Sequence, residues 1–457
     1  MSSTIKRNKY EIDMCNGTIM DKLISFSLPL MLSGILQLMF NAVDIIVIGR
    51  FSGSQSLAAV GSTTALINMF TNLFIGISLG ANVLSARFYA AGKDKEMSET
   101  VHTAITLALI SGIIMVFVGL IFAKPVLELM DTPDDVINLS TLYMRIYFMG
   151  MPFFMLYNYG ASILRAVGDT KRPLFYLIVA GIANAGLNMC LVIIFHLGVA
   201  GVAIGTVISQ LISSILVLRC LYRSETSYQL HFSKLKIQKE YLKQIFQVGI
   251  PAGIQSTVIN FSNVLLQSSV NSFGSIAMAG YTAANNIFGF LYVTVNAVTQ
   301  ACMSFTSQNY GVGKWKRMDR VLIDCLILSF VAMMILGNSA YFFGPKLLTI
   351  YTSNSKVIQC GMEILLYTTV TYFLCGFMDL FPGALRGMGR SGVPMILSII
   401  GTVGTRIVWI FWIFPNHRSL DILFISYPAS WIMTIVLQVI CYYFVRKQLY
   451  AKMRAEA

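Results

Sequence analysis

Apolar runs long enough to cross a bilayer recur along the whole of this chain, and they decide its fold class before any motif is considered. A run of about 18 or more apolar residues spans a hydrocarbon core of roughly 30 Å as a helix. Lipid cannot satisfy free backbone groups, so a single open chain crosses it only as helices. A membrane β-barrel would show segments of about ten residues with alternating polarity, and none is present. Only 12% of the 457 residues are charged, too few to cover a soluble protein of this length. The expected class is an all-α membrane protein.

Hydropathy places helices at roughly 25–48, 57–82, 101–122, 139–164, 172–196 and 200–221. A second group follows at 245–270, 277–302, 321–343, 361–385, 393–414 and 422–445. Between the groups lies a polar stretch with Arg223, Lys234, Lys236, Lys239 and Lys243. The expected organisation is a first lobe over 1–222, a cytoplasmic linker over 223–243, and a second lobe over 244–457 with a C-terminal tail. Met1–Asp21 is polar and lacks an apolar h-region, so no cleaved signal is expected.

The net charge of +13 would suit nucleic acid if it formed a patch, but it follows topology instead. With twelve spans both termini share one side. The opposite side holds only Arg50, Lys124, Arg145, Lys346, Lys356 and Arg418, and Arg406 lies inside a span. All other Lys and Arg, including Lys6, Arg7, Lys452 and Arg454, fall on the terminal side. This asymmetry obeys the positive-inside rule with both termini cytoplasmic. An error of one helix would scramble it. The partners expected are therefore the lipid bilayer and a small molecule, with no nucleic acid.

The halves repeat at an offset of about 221. Leu28-Pro29 matches Ile250-Pro251, Ala91-Gly92-Lys93 matches Val312-Gly313-Lys314, Arg165-Ala166-Val167-Gly168 matches Arg386-Gly387-Met388-Gly389, and Pro173 matches Pro394. Each unit has six spans, so the copies share one orientation and should be related by a pseudo-two-fold along the membrane normal. Such halves usually flank a central cavity, and rocking them alternates access.

Ionisable groups inside spans are costly and are functional candidates. Gln37, Asn41 and Asp44 recur at spacings of four and three in the first span and share a helix face. Asp44 could bind and release a proton or hold Na⁺ through its oxygens; its structural alternative is an interfacial pair with Arg50. Asn184 and Asn188 lie one turn apart in the fifth span, and Thr206 lies in the sixth. These could complete an ion site or merely join helices. In the second half, Asp379 could pair with Arg386 or Arg406 as a lock, or serve substrate or protons. Glu363 and Asp324, near span ends, are expected to be solvated. Tyr157, Asn158, Gln255, Tyr292 and Met378 are further candidates for a substrate cavity, because aromatic and Met walls suit irregular apolar ligands and cations. The eight cysteines lie mostly within apolar runs, with no metal spacing. No P-loop, H-E-x-x-H or G-x-S-x-G is present, so neither an enzyme nor an ATP-driven pump is expected.

Val43-Asp44 with Ile48-Gly49-Arg50, Leu57-Ala58-Ala59-Val60-Gly61, Leu164-Arg165-Ala166-Val167-Gly168-Asp169-Thr170 and Gly198-Val199-Ala200-Gly201-Val202-Ala203, with the duplicated segments above, give a pattern over about residues 15–445. In order and spacing it resembles the multidrug and toxic compound extrusion (MATE) transporters, and within them the staphylococcal-type and DNA-damage-inducible-type bacterial exporters. The resemblance implies two six-helix lobes and export of organic cations or other drugs driven by H⁺ or Na⁺, with no other cofactor. It also implies a first-lobe ion site, onto which Asp44, Asn184 and Thr206 map. Asn188 stands where a second Asp is common in the family, which leaves one carboxylate and tilts the reading towards H⁺. The norfloxacin-exporter branch's second-lobe acids are missing, since Gln255 and Asn260 occupy the first region and Arg390 the second.

The expected protein is thus a bacterial inner-membrane antiporter, monomeric by default. The alternatives are a lipid-linked precursor flippase, a metabolite exporter of the same fold, and a membrane enzyme or receptor. A flippase would need a strongly cationic cavity, whereas Arg406 is the one obvious deep cation. A membrane enzyme or receptor would need a catalytic constellation or an effector domain.

Overall fold

The computed structural model describes residues 9–130 and 132–456. Lys6 and Arg7, and the side chains of Lys452 and Arg454, lie outside that description. Among the described residues every regular element is helical: α1 (Met20–Phe51), α2 (Gly53–Ala90), α3 (Asp94–Leu129), α4 (Asp134–Met149), α5 (Met151–Ala166), α6 (Lys171–Asn188), α7 (Gly198–Tyr222), α8 (Lys239–Asn271), α9 (Ser275–Gly311), α10 (Trp315–Phe342), α11 (Gly344–Thr349), α12 (Ser355–Thr369), α13 (Tyr372–Gly387), α14 (Gly392–Ser398), α15 (Thr405–Val408) and α16 (Leu420–Glu456). Nine helical stretches among the described residues are long and apolar enough to cross a membrane, and α12 with α13 makes a tenth as a pair bent by 45°. The two remaining predicted spans are α4 with α5, and α8. Both are helical, but α4 and α5 are only 16 residues each, and α8 is more polar, with Gln255, Asn260 and Asn263 along it.

Two spans read as continuous from hydropathy are broken, for local reasons. Between α4 and α5, Pro152 follows Gly150 at the start of the second helix, and its missing N–H cannot continue the first. Between α12 and α13, the hydroxyls of Thr368, Thr369 and Thr371 donate to carbonyls one turn back, at 2.6, 2.7 and 2.7 Å. Such back-bonding bends helices. The fifth and eleventh spans carry π-helical stretches, Met189–Ile194 in one and Ile399–Gly404 and Trp409–Ile413 in the other.

The chain forms two compact units. The first comprises the described residues up to Asp13 with Leu28–Gly253, and the second Met14–Ser27 with the residues from Ile254 onward. Thus α1 begins in the second unit, α8 begins in the first, and each changes unit beside an internal proline, Pro29 or Pro251. Short N-terminal contacts account for part of this division. In the first unit Tyr89 and Tyr228 both donate to Glu11 at 2.6 Å. In the second, Asn309 donates to the Met14 carbonyl (3.1 Å) and Arg317 to that of Gly17 (2.8 Å).

Within the first unit, Gly76 and Gly80 of α2 meet Gly249 and Gly253 of α8 so closely that a Cβ on Gly76 would lie upon the Gly253 backbone. Both pairs have the four-residue spacing that lets membrane helices pack backbone to backbone. The duplication appears in the turns too: Gly53 and Gly274, Gly92 and Gly313, and Gly168 and Gly389 all take positive φ. Asp324, expected to be solvated, is instead buried and pairs with Arg320 one turn earlier (3.0 Å). Depth along a span does not reveal which face a neighbour covers.

Candidate functional site

Three helices of the first unit bring Asp44, Asn184, Asn188 and Thr206 together. Asn188 is fully buried on α6, and its Nδ2 donates to Asp44 Oδ1 on α1. The same nitrogen donates to Asn184 Oδ1 one turn back (3.3 Å). Asn184 Nδ2 then donates to the Thr206 hydroxyl on α7 (3.4 Å), which donates to the Val202 carbonyl (3.0 Å). The two asparagines share a face because they are four residues apart. Tyr143 and Tyr147 of α4 stand near enough to Asp44 to feel its charge. Arg50 is exposed, and among the described residues no ion pair joins it to Asp44, so the interfacial pair does not form.

Asn188 Oδ1 is buried and has no hydrogen-bond partner. It lies against Gly205 of α7, at a place where any Cβ would overlap it. The small residue lets the amide approach the helix, and a π-helical stretch begins directly after Asn188, a feature frequent at functional sites. Gly205→Ala should therefore turn the Asn188 amide away from Asp44. The expected result is roughly tenfold slower transport, the scale of one hydrogen bond to a charged group, at unchanged membrane levels. Uptake assays at matched expression test it; an unaltered rate would show that the amide does not need this position.

The structure leaves Gln37 and Asn41 outside this cluster. Both are exposed on α1, with no side-chain hydrogen bond to another described residue. The second-unit candidates divide into two groups. Arg386 Nη2 donates to Gln255 Oε1 (2.7 Å), with Asp379 and Tyr292 beside them. Arg406 is held elsewhere, by Ser262, Asn263 and Ser430, so among the described residues it forms no ion pair with Asp379. The buried Met378 sulfur accepts from Thr402 (3.4 Å). Tyr157 and Asn158 belong to the first unit and donate to the carbonyls of Pro173 (3.1 Å) and Phe154 (2.8 Å). Sequence reasoning missed Tyr143, Tyr147 and Gly205 around Asp44, and the partners of Arg406. The duplication offered a signal for one of them, because Asn263 stands in the second copy where Asn41 stands in the first.

A duplicated set of membrane-spanning helices with a buried polar cluster inside one copy defines a polytopic membrane protein with an internal repeat. The MatE family model matches residues 29–190 and again 251–412, and the chain belongs to that family of multidrug efflux transporters. It is 30% identical over 434 residues to the "probable multidrug resistance protein YoeA" of Bacillus subtilis (strain 168), covering 93% of each chain. It is 23% identical over 380 residues to the "multidrug export protein MepA" of Staphylococcus aureus (strain NCTC 8325 / PS 47), covering 83% of this chain and 84% of that one. Among solved structures, a MATE in complex with MaL6 superposes with a TM-score of 0.89 at 20% identity, over 98% of this chain and all of that one. The two family matches agree with the internal repeat, and the solved neighbour shares the fold.

Proposed function

We propose that this protein is a secondary antiporter that exports organic cations and related drugs in exchange for H⁺, with Asp44 as the proton-binding group. The observation that carries this reading is the buried Asp44 carboxylate on a chain of amides and a hydroxyl from two other helices. Stability alone does not account for it. An Asp in a membrane helix costs up to about 2.5–3.5 kcal/mol to insert at the helix centre and less towards the end where Asp44 lies, whereas a hydrogen bond between membrane helices returns about 0.6 kcal/mol on average. A group kept at a net cost has another use, and a site with a single carboxylate suits a proton better than Na⁺, which would have only one charged ligand there. Asn184, Asn188 and Thr206 hold the carboxylate. Among the described residues of the second unit, Gln255, Tyr292, Asp379 and Arg386 support a second polar surface for substrate. The Lys and Arg asymmetry supports cytoplasmic termini. The working unit is a monomer in a bacterial inner membrane and uses no bound cofactor beyond the coupling ion.

The test is efflux of a fluorescent organic cation from proteoliposomes under an imposed pH gradient or an imposed Na⁺ gradient. Transport under the pH gradient alone is expected. A strict Na⁺ requirement would reject the proton reading, and no transport under either gradient would reject drug antiport.

A further inference from the structure

The second unit buries a cation that has no acid on it. Arg406 is 3% exposed. Its Nη1 donates to Asn263 Oδ1 (2.7 Å) and Ser262 Oγ (3.2 Å), and its Nε to Ser430 Oγ (3.3 Å). The guanidinium carbon lies 4.7 Å from the Tyr427 ring centroid. Every one of these partners is neutral. Among the described residues no carboxylate comes within ion-pair distance, and Nη2 has no hydrogen-bond acceptor. Hydroxyls and a π face recover only part of the cost of taking a guanidinium out of water without a counter-charge. An intramembrane Arg kept under those terms marks a ligand or a pathway.

The repeat shows what this position replaces. The two family matches are offset by 222 residues at both ends, whereas Pro173 and Pro394 are 221 apart. One residue has entered the second copy between Pro394 and residue 412. A π-helical turn holds one residue more than an α turn, and Ile399–Gly404 is π-helical. Beyond it the offset of 222 sets Arg406 against Asn184. On α8 the same offset sets Asn263 against Asn41 and Leu266 against Asp44. The second copy has thus lost the acid of the cluster and gained a base within it.

We propose that Arg406, with Asn263 and Ser262, binds the carboxylate of an aromatic organic acid or zwitterion. Nε and both N–H groups of Nη1 are already donated, so the carboxylate takes its charge-assisted hydrogen bonds from the two N–H groups of Nη2. The adjoining rings, Tyr427 against Trp431 at 5.8 Å and Trp431 against Tyr372 at 5.7 Å, are buried beside Arg406 and set an aromatic wall next to the position of the carboxylate. This rests on the reading that the chain handles small organic molecules, but not on Asp44 or on the coupling ion.

The test is equilibrium binding to the purified full-length protein in detergent, without a gradient, so that it does not depend on transport. The probes are salicylate and its uncharged near-isostere salicylamide. The protein should prefer the anion by at least about tenfold, the scale of one hydrogen bond to a charged group. Arg406→Gln should bring that preference close to unity, and Arg406→Lys should restore part of it. Asn263→Ala, which keeps the charge, should reduce it and guards against misfolding of the Arg406 variants. Equal binding of the two probes by the native protein would overturn the proposal, as would a preference that survives Arg406→Gln. A site that takes chloride and not salicylate would overturn it too, showing an inorganic counter-ion in place of an organic acid.

Discussion

Asp44→Asn should abolish gradient-driven efflux while the protein still inserts at normal levels. The substitution keeps the shape of the side chain, and the Asn188 amide that donates to Asp44 still finds an acceptor in the new carbonyl. What is lost is the capacity to change charge. Coupling needs the ion to alter the affinity for substrate, and coupling free energies are typically about 1–3 kcal/mol, or up to about 150-fold. Efflux against a gradient should therefore fall by about two orders of magnitude, whereas downhill exchange of substrate should persist. Asp44→Glu, which keeps the charge on a longer arm, should recover part of the coupled rate. Drug resistance of cells at matched expression and proteoliposome efflux read both quantities. Full resistance in the Asn variant would remove Asp44 from the mechanism, and equal loss of coupled and downhill movement would make its role structural.

Much of the fold was legible because membrane insertion imposes strong rules. Run length was enough to place most of the spans, and the duplicated motifs revealed the repeat that the paired positive-φ glycines display. The breaks were not legible, since hydropathy is blind to backbone hydrogen bonding: Pro152 and the Thr368–Thr371 hydroxyls act on the backbone while leaving the apolar run intact. Of the candidate site, Asn184 and Asn188 could be read as one face from their spacing. Gln37 and Asn41 met the same spacing test and remain exposed, because periodicity defines a face without saying what packs on it. The neighbours of Arg406 come from α8 and α16, 143 or 144 residues back and 24 residues ahead. Separations of that kind leave no local mark in a sequence, and only the repeat offered a way to anticipate one of them. The exchange of helix starts between the units near Pro29 and Pro251 belongs to the same class, because it depends on contacts between residues about 300 apart in the chain, such as Met14 with Asn309 and Arg317.

If one carboxylate makes this a proton site, adding a second should alter the coupling ion. Asn188→Asp removes the amide that donates to Asp44 and sets a carboxylate in its place, within contact distance of the first. Two such charges at about 4 Å repel by roughly 4 kcal/mol at the effective dielectric of a protein surface, and by more inside. They are tolerated only with a shared proton or with a cation between them. The Asn184 carbonyl oxygen and the Thr206 hydroxyl supply neutral oxygens around that point, so a monovalent cation would find both charge and ligands there. The variant should gain Na⁺-driven efflux about tenfold or more above the native protein under the same Na⁺ gradient, a fraction of the repulsion relieved. Its transport under a pH gradient should weaken when Na⁺ is present, because the two ions would compete for the same oxygens. Proteoliposomes with the gradients imposed separately and together distinguish the outcomes. A changed pH dependence with no response to Na⁺ would mean that the carboxylates share a proton, and would reject the idea that the missing second acid decides ion choice. An unchanged profile under both gradients would place position 188 outside the coupling site altogether.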